Sequence, residues 1–367
     1  MVREVISGVR CKQSLNKIVK DSRPSTHRTQ QVMHPAPRFS LGSLLIFLVA
    51  CGDSAAVGGG ASGGSDTGGS GGNADGGHAM GGGDPNILVG AFQVALKKPT
   101  DEAGFTSIAG RLFDGPSPAN IVWEPGSEVD GCQLFEPRVP FCSPSCGGSA
   151  VCVEDDTCQD YPAAHSAGVV SVTGIRTEAG ENTFEMSPIA ENYQAPAGTT
   201  LAYPPFDEGD VVTLSAAGDY FAAFEIEARG IAPLSLSTDD AIALDESAGA
   251  VLAWSAPADA TTSVHVKLDI SHHGGSKGKI ECDVPDTGAF TIAPSLISEL
   301  LGLGVSGYPT VVVSRENIGS AIIESGRVDL VISSSVERAV AIEGLTSCTG
   351  DADCPDGQTC QVDLKCG

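Results

Sequence analysis

The chain of 367 residues carries 46 acidic against 21 basic side chains, a formal net charge of −25, with 46 glycines and 12 cysteines. That length accommodates one to three domains, and so acidic a balance excludes nucleic acid as a partner, because such binding rests on Lys and Arg at phosphates. It favours cations, basic partners or plain solvation of an exported surface.

Residues 1–32 hold seven basic groups (Arg3, Arg10, Lys12, Lys17, Lys20, Arg23, Arg28) and two acidic ones, a composition unlike the rest of the chain. Met33 stands just before Arg38 and an apolar run, so translation is expected to start there, with 1–32 a non-native or disordered upstream segment. The run from Leu41 to Ala50 is too short to span a bilayer, which takes about 20 apolar residues. It has the length of the apolar region of a secretory signal, about 7–15 residues.

The run ends in Leu48-Val49-Ala50-Cys51 and is followed at once by glycine-rich sequence. This resembles the bacterial lipobox, which implies a signal at 33–50, cleavage between Ala50 and Cys51, and acylation of the Cys51 thiol and its new amino group. Two or three acyl chains anchor a protein durably, at about 0.8 kcal/mol per buried methylene. Position 52 is Gly; in the resembling family an Asp there often marks retention at the inner membrane, so the outer membrane is expected. The eight basic and two acidic residues before Cys51 leave 13 basic and 44 acidic after it, a net charge near −31.

Residues 52–85 include 15 glycines. Such a segment cannot bury enough apolar surface to order itself and is expected to be a disordered tether reaching about 30–35 Å on average. Beyond it the signal is that of an all-β protein with two β-sandwich-like domains, 86–230 and 231–346. In the first, Phe92, Val94 and Leu96 alternate with Gln93 and Ala95, a strand period. Strands are expected at 105–113, 168–175, 211–215 and 220–229, and a Cys-rich insert at 132–162. The stretch from Ile108 to Ile121 resembles the opening of carboxypeptidase-regulatory-like β-sandwiches. In the second, strands are expected at 250–257, 262–271, 279–284, 289–292, 310–314 and 328–333. Trp254-Ser-Ala-Pro-Ala-Asp-Ala260 is similar to a strand end in fibronectin type III modules. Pro294 suits a first helical position, and Leu296, Ile297, Leu300 and Leu301 make one apolar face before Gly302 and Gly304 end the helix.

Ten cysteines follow Cys51, an even number, as expected of disulfides in an oxidising compartment. Cys142, Cys146, Cys152 and Cys158 form one four-cysteine module. Cys348, Cys354, Cys360 and Cys366 form a second at 347–367, which resembles small Cys-rich repeats of bacterial surface lipoproteins. Each module has three possible pairings. Two closed modules leave Cys132 and Cys282 to bridge the two β regions. Zinc sites favour ligands spaced by two to four residues, whereas gaps here are mostly five, so no metal and no cofactor is implied.

Catalytic signals are weak. The loop from His272 to Lys279 departs from a phosphate-cradling motif at His273 and Ile280. His265, Lys267 and Asp269 share the outward face of one strand, without a nucleophile on a strained elbow beside them. Acidic clusters at Asp351, Asp353 and Asp356, and at Asp239, Asp240, Asp245 and Glu246, offer oxygens of the kind calcium takes. The expectation is a non-enzymatic, lipid-anchored envelope protein with an extracellular or periplasmic protein or glycan partner. The alternatives are a glycan-active β-sandwich hydrolase, which would need paired carboxylates about 5–9 Å apart, and a calcium-stabilised binding module.

Overall fold

The structure, a computed structural model, describes residues 84–99, 102–258 and 262–367. The segment 1–32, the signal at 33–50, Cys51 and nearly all of the 52–85 tether lie outside the described residues. In chain order the elements are β1 (Leu88–Lys97), β2 (Phe105–Leu112), β3 (Val122–Val129), β4 (Cys132–Arg138), β5 (Ala150–Glu154), β6 (Thr157–Asp160), β7 (Val170–Thr173), β8 (Thr183–Met186), β9 (Asn192–Gln194), β10 (Val211–Ala216), β11 (Phe224–Arg229), β12 (Ile242–Leu244), β13 (Ala250–Ala253), β14 (Ser263–Asp269), β15 (Lys279–Pro285), β16 (Ala289–Ile292), α1 (Pro294–Gly302), β17 (Thr310–Ile323) and β18 (Gly326–Ile342). The fold is all-β, with one α-helix among the described residues and two small disulfide-rich segments.

Alternation explains the strands. In β14, Val264, Val266 and Leu268 are fully buried while His265, Lys267 and Asp269 stay partly open, because successive side chains leave a strand on opposite faces. Ten strands join in one sheet ordered β3-β4-β15-β14-β17-β18-β1-β2-β9, with β12 also beside β18. Its pairs are antiparallel, apart from β1 and β12, which run parallel to β18. A second sheet, ordered β11-β10-β7-β8, packs over one half. The β13–β16 ribbon and α1 cover the other.

Each half has its own core. Phe92, Val94, Val172, Leu214, Ile226 and Leu330 belong to the first. Trp254, Val264, Val266, Leu296, Leu300 and Val313 belong to the second. Ile231 packs in the first core and Leu234 in the second. The expected division at 230 nevertheless does not separate two sheets: β1 lies beside β18, and β4 beside β15.

The reason is the length of the β17–β18 hairpin, whose strands run 14 and 17 residues rather than the short stretches expected at 310–314 and 328–333. On one face of β17, Val311 and Val313 enter the second core and Ile323 the first. Between them β11 crosses, and Arg229 donates its backbone N–H to Asn317 Oδ1 at 2.7 Å. At Gly319 a Cβ would stand 1.8 Å from the Glu227 carbonyl oxygen, so only glycine admits the crossing. Asn317 and Gly319 interrupt the apolar alternation for that reason.

The expected Cys-rich insert at 132–162 also starts later. β3 and β4 form a hairpin of the main sheet, and Cys132 is fully buried in the second core, opposite Cys282 and bonded to it. The first knuckle begins at Cys142. Its bridges are Cys142–Cys152 and Cys146–Cys158. The tail uses the same first-to-third, second-to-fourth order, Cys348–Cys360 and Cys354–Cys366.

Candidate functional site

One face of the ten-stranded sheet is buried against the two cores. The other presents the alternate side chains of the same strands. In the middle of that face the register lines up Asp283, His265, Ser314 and Ser335 on four adjacent strands, β15, β14, β17 and β18, with Ser314 buried and the other three open at least in part. His265 Nδ1 lies 2.9 Å from Asp283 Oδ1, and the Ser314 and Ser335 hydroxyls are 2.9 Å apart. Glu316, two residues along β17, shares this face and lies opposite Ser263.

The charges of this row are coupled. The Asp283 carboxylate bonded to the ring holds the His265 imidazole above its ordinary value, against the opposing effect of burial. The same bond holds the Asp283 carboxyl below the usual range. Burial pushes the Glu316 carboxyl up; His265 pulls it down and Asp283 pushes it further up.

A pH dependence follows from these directions. The contribution of His265 is complete below its unfolded value, about 6.5, and is lost as pH rises through the raised folded value. Glu316 acts with the same sign. Asp283 contributes above its unfolded value, about 3.9, and loses this as pH falls through its depressed one. The melting temperature is therefore expected to fall as pH rises above about 6.5, with a shallower decline in His265→Gln. Parallel profiles for the two proteins would contradict the coupling.

Beside the row, on the same face, lies an open groove of about 490 Å³. β1 pairs with β18 only as far as Ser334, and β12 takes up the pairing at Val340. Residues 335–339 therefore have no strand on that side among the described residues. Gln93, Lys97, Ser333, Ser335 and Glu337 line the groove, with Lys98 and Phe105 at its edge. Phe105 pairs with Lys97 across β2 and β1 and is 47 % exposed. Arg338 closes the free edge: Nη1 donates to the Glu337 carbonyl at 3.0 Å, Nε to the Thr238 carbonyl at 3.2 Å, and Nη2 to Asp239.

On the core side, at the passage between the two cores, Arg315 and Asp286 form a buried ion pair. Arg315 spans both Asp286 oxygens. Trp254 Nε1 donates to Asp286 Oδ1 at 2.7 Å and the Thr262 hydroxyl to Oδ2 at 2.9 Å. Arg315 also donates to the carbonyls of Ala232, at 3.0 Å, and Ser255. Burial alone would raise the Asp286 carboxyl; these donors hold it below its usual range.

Other residues singled out by sequence serve the fold. Asp269 accepts from the Ser271 N–H at 2.8 Å, so the carboxylate partner of His265 comes from the neighbouring strand. The loop from His272 to Lys279 joins β14 to β15 and packs on Gly307, whose N–H donates to the Asp363 carbonyl of the tail module at 2.7 Å. Gly274-Gly-Ser276-Lys-Gly278 carries the spacing of a nucleophile elbow. The spacing recurs at Gly60–Gly64 and Gly68–Gly72, outside the described residues. Ser276 is exposed in a strand-to-strand loop, not at the strand-to-helix turn the elbow requires. Three of the seven carboxylates weighed for calcium cap backbone: Asp353 Oδ2 accepts from the N–H groups of Thr349 and Gly350, Asp351 Oδ1 from that of Cys360, and Asp245 Oδ1 from those of Ser247 and Ala248. The trios with metal-ligand proximity among the described residues are cysteines already joined in the knuckle disulfides.

No family model matches the chain, and no curated protein matches its sequence.

Proposed function

We propose that this is a lipid-anchored envelope protein, held at the outer membrane through acylated Cys51 and a glycine-rich tether. Its β body serves recognition or adhesion toward an extracellular or periplasmic protein or glycan, without catalysis. The observation that carries the reading is the state of the cysteines. All ten that follow Cys51 lie in five disulfides, and disulfides persist in oxidising compartments. An exported chain whose lipobox-like Cys51 stands apart from those ten has a thiol left for acylation.

The open sheet face supports recognition over hydrolysis. Asp283, His265 and Ser314 fall in one row, but Ser314 sits inside a regular ladder between β14 and β18. Amide N–H groups committed to a ladder cannot cradle an oxyanion. A row of carboxylate, imidazole and hydroxyl groups beside an open groove suits hydrogen bonding to a polar ligand.

The anchor is tested by Cys51→Ser. The parent protein is expected to partition into the detergent phase of a Triton extract, and the variant into the aqueous phase, since anchoring requires the acyl chains. Equal partitioning of the two proteins would contradict the reading.

A further inference from the structure

The groove between β1 and β18 carries an inference about ligand class, which rests on the recognition reading above. We propose that it binds an acidic saccharide, with the sugar's carboxylate or sulfate toward Lys97 and Lys98.

Charge is the first argument. Only 13 basic residues follow Cys51, against 44 acidic ones. Two of the 13 are adjacent at this groove, exposed, and without an ion-pair partner among the described residues. Lysines exposed beside a concave surface, with no ion-pair partner among the described residues, are placed to meet an anion. At physiological ionic strength the Debye length is about 8 Å, so the distant acidic surface is largely screened while a contacting lysine is not. Glu337 lies in the same groove. Its carboxylate accepts hydrogen bonds from sugar hydroxyls and leaves the two lysines in excess.

The remaining lining selects a sugar over a bare anion. Ser335 and Gln93, both open to solvent at least in part, offer a hydroxyl and an amide, which donate to and accept from ring hydroxyls. The ring of Phe105 stands half-exposed across from Lys97 and gives the apolar face of a pyranose a flat surface. The volume, about 490 Å³, falls in the range of about 300–1,000 Å³ usual for small-molecule sites. An added peptide strand fits less well, because β-augmentation uses main-chain hydrogen bonds at a free edge and the Glu337 carbonyl already accepts from Arg338.

The test is calorimetric titration of the full lipidated chain, in detergent at physiological salt, with tetragalacturonate, neutral maltotetraose and sulfate. Tetragalacturonate is expected to bind at least about tenfold more tightly than either of the others. Lys97→Gln/Lys98→Gln should weaken it by about tenfold or more without changing the melting temperature, since both side chains are exposed. Phe105→Ala should weaken tetragalacturonate and leave sulfate unaffected. Absence of binding, equal binding of maltotetraose, sulfate binding as tight as that of the oligosaccharide, or indifference to the double lysine substitution would each overturn the proposal. A chain that is acylated but silent toward tetragalacturonate overturns this inference alone. One that binds the sugar but is not acylated overturns the anchor alone.

Discussion

Replacing Asp286 with alanine is expected to lower the stability of the folded body by about 3–5 kcal/mol, because it leaves the Arg315 guanidinium buried without its counter-charge. Arg315 and Asp286 are both closed to solvent, so neither can recover hydration in place of the lost partner. The substitution also removes the acceptor of Trp254 Nε1 and of the Thr262 hydroxyl, and each buried donor left unmade adds its own desolvation cost. The consequence reaches beyond one contact. Arg315 belongs to β17, Asp286 follows β15, Trp254 follows β13, and Ala232 lies on the segment joining the two cores. Arg315→Met/Asp286→Leu should be much milder than Asp286→Ala, since a buried pair replaced by apolar groups of similar volume is often neutral. Urea melts of the three proteins check this. A double variant as unstable as Asp286→Ala would contradict the electrostatic account.

The second large effect belongs to the Cys132–Cys282 bridge. Cys132→Ala/Cys282→Ala is expected to cost about 2–5 kcal/mol, the usual range for a native disulfide. The bridge closes a span of 150 residues, and the loop-closure entropy it removes from the unfolded chain grows with loop length. It also ties the β3–β4 hairpin, at one end of the sheet, to β15. The knuckle bridges span 10 to 12 residues, so opening one should cost less and act locally. Comparing melts of the double variant with Cys354→Ala/Cys366→Ala tests the ranking. Equal losses would contradict it.

What the sequence made legible was local. The alternation of Val264, Val266, Leu268 and Ile270 announces β14, and Pro294 followed by Leu296, Ile297 and Leu300 announces α1. β3 gives no clear strand pattern because Pro125 and Gly126 lie within it, and proline is tolerated at an edge strand with a bulge, which is where β3 sits. The parallel pairing of β1 with β18 joins ends of the chain more than two hundred residues apart, as in the hydrogen bond from Arg327 to Pro85 across 242 positions, and no short pattern encodes it. Hence the sheet that the two β regions share is not visible in the sequence, whereas their two cores follow from the local strand patterns. The candidate site divides the same way. His265 is visible as an outward residue of a clear strand. Asp283, Ser314 and Ser335 join it only through the register of four strands. Lys97, Phe105 and Glu337 form one groove only because β1 stops short of β12 along β18. The leftover pair Cys132 and Cys282 was within reach because parity is a property of the whole chain. The pairing inside each knuckle was not, because four cysteines leave three choices.

Export and anchoring at Cys51 underlie the proposed role, and intact-mass spectrometry of the amino-terminal peptide purified from membranes tests them most directly. The result expected is a chain beginning at Cys51 and carrying a diacylglycerol thioether, with or without a further amide-linked acyl chain. A chain that retains residues before Cys51, or that begins at an unmodified Cys51, would contradict it.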